Sequence, residues 1–131
     1  MSEEQSPYPN ERSIKFFEEA ISSHSQVTYI KQISEQYYEI TRKSKSKVRI
    51  FLTDLYTVGY ADYLDIKRKF PDINCIITIS NWNGYTEQAK AKAKEQRIGI
   101  FVFNEFMGAL YWSKVWEYAK KDSDGKPYFF G

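Results

Sequence analysis

Three short polar groups carry side chains suited to holding a ligand: Asp54, the tripeptide Asn81-Trp82-Asn83, and the pair Asn104-Glu105. Each follows an apolar run: VRIFLT, INCIITIS and IGIFVF respectively. If those runs are parallel strands, the three groups meet outside their carboxyl ends, where open α/β sheets bind ligands. An indole in such a crevice can stack on a ring or base, and the amides can read donor and acceptor edges. The plainer role of Asn and Asp there is to end strands and cap helices. A second group is electrostatic. Arg42, Lys43, Lys45, Lys47 and Arg49 place five basic residues within eight positions, with serines between the lysines. In a mobile connection between strands, that density suits phosphate contacts; in a solvated hairpin tip it needs no partner.

Other chemistries have little support. His24 is the only histidine and follows a helical segment, whose C-terminus favours a cation. It has no Ser-Asp or Cys partner pattern. Cys75, the only cysteine, sits in an apolar run and reads as a small core residue, which excludes an intrachain disulfide framework or a thiolate metal cluster. Gly59, Gly84, Gly99 and Gly108 form neither GxGxxG nor GxxxxGK. A net charge of +2 permits contact with nucleic acid without arguing for it. No cofactor is expected from these features.

The elements that must position these residues follow from periodicity. The 131 residues suit one domain over 11–131, preceded by a flexible polar arm over 1–10. Ile14, Phe17 and Ile21 predict a helix over 11–23. Alternating β-branched and aromatic residues predict strands over 27–33 and 36–43, joined as a hairpin, and a third over 48–56. Tyr60, Tyr63, Leu64 and Phe70 predict a helix over 60–70 that Pro71 ends. Residues 73–80 and 98–103 read as strands covered on both faces. Residues 81–86 read as a loop and 87–97 as a helix with Ala89 and Ala93 on its packing face. Its lysines at 90, 92 and 94 read as solvated. A last helix is expected from Asn104 or Glu105 to about Lys120, with Trp112, Val115, Trp116 and Ala119 as its stripe. The fold class is α/β: a single mixed sheet in the order α-β-β-β-α-β-α-β-α, covered by helices. Its strands over 48–56, 73–80 and 98–103 should be parallel through right-handed crossovers. The 18% aromatic share fills a core of this size or supplies an interaction surface. Residues 1–12 are polar and acidic, and no apolar run approaches a membrane span, so cytoplasm is expected.

The segment CIITISNWNGYTEQAKAKAKEQRIGIFVFNEF (75–106) resembles restriction-endonuclease-like domains of the PD-(D/E)xK superfamily, nearest the Mrr type. Thr78, Ser80, Trp82, Thr86 and Ala89 occupy the matching places, and residues 98–103 the closing strand. About 30 residues carry the likeness well, and about 80 more share the element order. The resemblance implies carboxylates that hold Mg²⁺ and a Lys near the attacking water, with (D/E)xK or QxK on the strand before the first crossover helix. VRIFLTDLY carries neither triplet: two residues after Asp54 stands Tyr56. The literal D…DxK spacing, Asp54 with Asp65 and Lys67, falls across a stretch with helical periodicity. The implied function is a nuclease-fold binding module without its catalytic motif, acting through nucleic acid or a protein partner in a defence or nucleic-acid-processing system. The alternatives are an active divergent Mg²⁺-dependent endonuclease using Asp54, Asp65 and Lys67, and a small-ligand or nucleotide sensor using the strand-end crevice.

Overall fold

The computed structural model describes residues 8–80, 82–120 and 124. Four α-helices and a five-stranded mixed sheet make up its body among the described residues. Residues 1–7 of the expected arm lie outside them. The next three are tied down: Pro9 is buried, Tyr8 donates from its hydroxyl to Glu35, and Asn10 caps helix α1 (Glu11–Ser22) by accepting from the Ser13 N–H at 2.8 Å.

Strands β1 (Val27–Ser34), β2 (Tyr37–Arg42) and β3 (Lys45–Thr53) form an antiparallel meander. Its turns are only two residues long, with Gln36 and Ser44 at φ 64° and 54°. Turns this tight need positive φ, and they match the twist of the strands they join. The basic segment expected as a mobile loop is therefore mostly strand. Only Lys43 and Ser44 form the tip, and Lys45 already pairs with Arg42. Strand β1 is an edge, interrupted by register shifts near both ends, with Tyr29 and Ile33 exposed.

Beyond β3 the chain crosses over twice. Strands β5 (Cys75–Thr78) and β7 (Gly99–Val102) lie parallel to β3 in the order β1-β2-β3-β5-β7, as their apolar runs predict. The expected strand over 48–56 ends early, at Thr53. After three intervening residues the chain makes the short strand β4 (Thr57–Val58), which pairs in parallel with β6 (Gly84–Tyr85) inside the expected loop over 81–86. Runs of two residues are too short to show periodicity. Helices α2 (Tyr60–Lys69) and α3 (Glu87–Glu95) follow β4 and β6.

The central strands alternate between two cores. Ile50, Leu52, Cys75, Ile77 and Phe101 join Phe17 and Ile21 of α1 on one face. Phe51, Ile76, Ile100 and Val102 meet Tyr63 and Ile66 of α2 and Ala89 and Ala93 of α3 on the other. Burial on both faces is why these runs carry no polar alternation.

The last helix departs furthest from expectation. Helix α4 (Phe103–Ala109) stops at Ala109, and only a 3-10 turn (Val115–Glu117) follows. Arg42 is buried, and its guanidinium donates to the carbonyls of Leu110, Trp112 and Ser113 at 3.1, 2.7 and 3.3 Å. A continuing helix would need those carbonyls for its own ladder. Trp112 is consequently exposed while Val115 is buried, so the expected stripe does not form.

On α2, Tyr63 is 2% exposed and its hydroxyl has no hydrogen-bond partner among the described residues. A buried unpaired hydroxyl costs about 1–3 kcal/mol. Tyr63→Phe should therefore raise the urea midpoint, by about 1 kcal/mol in unfolding free energy. A lowered midpoint would show that the hydroxyl is satisfied in the native protein.

Candidate functional site

The carboxyl ends of β3 and β5 are joined by backbone before any side chain is considered. Ile79 N–H donates to the Thr53 carbonyl at 3.0 Å, Gly84 N–H to Tyr56 at 2.8 Å and Thr86 N–H to Val58 at 3.0 Å. The excursions 54–58 and 79–86 thus run side by side. Within this frame the Thr78 hydroxyl donates to the Leu55 carbonyl at 2.6 Å. Asp54, half-buried, accepts at Oδ1 from Ser80 Oγ at 2.5 Å and from Asn83 Nδ2 at 2.8 Å. Asn83 Nδ2 gives its other hydrogen to Thr78 Oγ1 at 2.9 Å. Both amide hydrogens of this buried Asn are engaged, so it braces the site. Trp82 and Tyr56 stand outward from the same pair of excursions, 74% and 68% exposed. Asn81 lies outside the described residues.

The third strand-end group does not join this crevice as an open ligand pair. Asn104 is exposed, but Glu105 is fully buried. Its Oε1 accepts from the Val102 N–H at 3.1 Å, and both oxygens lie 2.8 Å from the Tyr85 hydroxyl. Its Oε2 also meets Lys90 Nζ at 3.2 Å. Lys90 gives its remaining hydrogens to Tyr85 Oη and the Ile100 carbonyl, each at 3.0 Å, and lies over the Tyr85 and Phe101 rings. Burial pulls its ammonium below the usual lysine range, and the Glu105 carboxylate opposes that shift. Sequence reasoning missed Lys90 by treating it as one of three solvated lysines. The available signal was position: Lys90 adjoins the face marked by Ala89 and Ala93.

The basic residues are largely occupied within the fold. Arg42 serves the carbonyls described above. Lys45 donates to Gln26 Oε1 at 2.9 Å, Lys47 faces Glu39 at 3.6 Å, and Arg49 pairs with Glu39 and Asp72 at 3.1 and 3.5 Å. Glu39 is held below the usual carboxylate range chiefly by its hydrogen bond from Arg49. Lys43, at the turn, is exposed.

Asp65 and Lys67 lie on α2, consistent with their helical periodicity. Asp65 pairs with Arg68 and Lys69, and Lys67 reaches the Pro71 carbonyl at 3.4 Å. Among the described residues, no group of three or more His, Cys, Asp or Glu is placed to hold a metal ion. Asp54 with its two side-chain donors, and Asp65 beside two cations, do not fit the Mg²⁺ site that the nuclease resemblance implies.

His24 is a joint between elements. Its Nδ1 meets the Gln26 N–H at 3.1 Å and its Nε2 the Met107 carbonyl at 2.8 Å, tying the end of α1 to α4. Cys75 is fully buried, and burial pushes its thiol well above the usual range. Among the described residues no helix is long and apolar enough to cross a membrane. Comparison with family models, curated proteins and solved structures finds no match.

The buried clamp yields a stability test. Lys90→Met leaves Glu105 buried without its cation, which should cost about 3–5 kcal/mol in urea unfolding. Adding Glu105→Gln removes the orphaned charge and should recover more than half of that loss. A double variant no more stable than Lys90→Met would show that the ion pair is not the source of the cost.

Proposed function

We propose that this chain is a binding module of the restriction-endonuclease-like type without the catalytic set, and that it acts by docking a protein partner at the carboxyl ends of β3 and β5. The observation that carries this reading is the pairing of two outward aromatics with a rigid base. Trp82 and Tyr56 are the most exposed of the large hydrophobic residues described, and they rise from excursions fixed by backbone bonds and by the Asp54–Ser80–Asn83–Thr78 network. Trp and Tyr are the residues that most often anchor protein interfaces, and a preorganised frame lowers the ordering cost of binding. Catalysis has less support, because among the described residues no group of three or more His, Cys, Asp or Glu is placed to hold a metal ion. A nucleic-acid partner has less support as well. Most of the basic residues have internal partners, and their hairpin lies at the opposite end of β3, roughly 26 Å away at about 3.3 Å per residue.

A photoreactive benzoylphenylalanine at the exposed position Thr57, between these features, tests the reading in cells that make the protein. Irradiation should give a discrete protein adduct that Tyr56→Ala or Trp82→Ala reduces about tenfold, as loss of an anchor residue does. An adduct removed by nuclease treatment would overturn the partner class. Purified protein with Mg²⁺ or Mn²⁺ should leave single- and double-stranded DNA intact. Cleavage abolished by Asp54→Ala would overturn the noncatalytic reading.

A further inference from the structure

Beside the strand-end surface a groove of about 680 Å³ opens between the β1–β2 turn and α2, sharing Leu55 with that surface. Its apolar lining includes Phe51 and Phe70, whose ring centroids are 5.0 Å apart, and Tyr37 extends the cluster at 5.0 Å from Phe70. Around this floor stand three carboxylates, Glu35, Asp62 and Asp65, and one ammonium, Lys69. Lys69 is 3.3 Å from Asp65, which also pairs with Arg68. Glu35 and Asp62 meet no cation among the described residues. Glu35 Oε1 accepts from the Tyr8 hydroxyl at 3.0 Å, and Asp62 Oδ2 accepts from the Gly59 N–H at 2.9 Å, which fixes each carboxylate at the rim.

We propose that this groove receives an arginine-bearing segment of the protein partner, a statement that rests on the docking reading above and names the chemistry of what docks. The match is one of both shape and charge. A guanidinium is planar, stacks on aromatic faces and forks onto carboxylates, and it loses less hydration than an ammonium when buried. An aromatic floor with two carboxylates that meet no cation among the described residues offers both contacts at once. The volume exceeds what a single side chain fills and falls within the range of sites that enclose a ligand. The chain preceding Tyr8 does not complement the groove, because residues 2–7 carry Glu3 and Glu4 and no Lys or Arg.

The test uses the full chain and fluorescence anisotropy with labelled hexa-arginine, hexa-lysine and hexa-glutamate peptides at about 0.15 M salt, where long-range attraction is screened. Hexa-arginine should bind at least about fivefold tighter than hexa-lysine, and hexa-glutamate should not bind. The variant Glu35→Gln with Asp62→Asn keeps both acceptors and removes both charges. It should weaken hexa-arginine binding by about tenfold while lowering the thermal midpoint by only a few degrees, as the α2 N-terminus loses one charge. Trp82→Ala should leave peptide affinity within about twofold, since that residue is not among those lining the groove. Equal affinity for arginine and lysine, or a charge-neutral variant that binds like the parent, overturns the proposal. So does a large effect of Trp82→Ala, which would place the peptide at the strand ends. If the peptide fails while the Thr57 adduct persists, the groove assignment falls and the docking reading stands. Loss of the adduct together with retained peptide binding reverses that outcome.

Discussion

The ion pair between Lys90 and Glu105 is the constraint on which the second half of the fold depends. It draws together β6 through Tyr85, α3 through Lys90, β7 through the Ile100 carbonyl and Val102 N–H, and α4 through Glu105. Removing an ammonium and a carboxylate from water carries a large penalty, which mutual attraction offsets only when the remaining donors and acceptors are also satisfied. Here all three ammonium hydrogens have acceptors, and the tyrosine hydroxyl both donates and accepts. Few other arrangements of these four elements would satisfy so many polar atoms in an apolar interior. The pair therefore contributes to uniqueness of packing as much as to net stability.

That constraint also fixes where the strand-end surface can lie. Tyr85 is buried in the clamp, so the segment just before it is held close to the sheet, and Asn83 can reach both Asp54 and Thr78. The chain between β5 and β6 consequently presents Trp82 outward while its neighbour Asn83 is internal. Within this polar tripeptide, geometry thus separates an exposed aromatic from an internal brace. The spacing of the sequence alone does not separate the two.

What was legible in the sequence had a long-range pattern behind it. The apolar runs ending near Thr53, Thr78 and Val102 are parallel neighbours, and helices α1, α2 and α3 begin where periodicity and capping residues place them, with ends within about two residues of expectation. What was not legible came from partners distant in sequence. Arg42 carries no local sign that it will hold carbonyls 68 to 71 residues away and so end the last helix. Lys45 and Lys47 have weak strand propensity, yet pairing with β2 makes them strand. Of the candidate site, Asp54, Asn83 and Trp82 are gathered at one place. Ser80 and Thr78 complete the network there, and Glu105 belongs to the buried clamp.

Strand β1 has a consequence for how this molecule behaves in a crowded solution. It lies at the open margin of the sheet, and its outward ladder of amide and carbonyl groups is not paired within the sheet. Tyr29 and Ile33 stand exposed along it. Such a margin is a template for uncontrolled strand addition by any extended chain that approaches it. Lys31, set between those two side chains, places a hydrated charge in the path of an incoming strand, and the register shifts near both ends leave only a short regular stretch to copy. One lysine and two irregularities in the ladder thus oppose strand addition at this margin, separately from the interactions that hold the fold together.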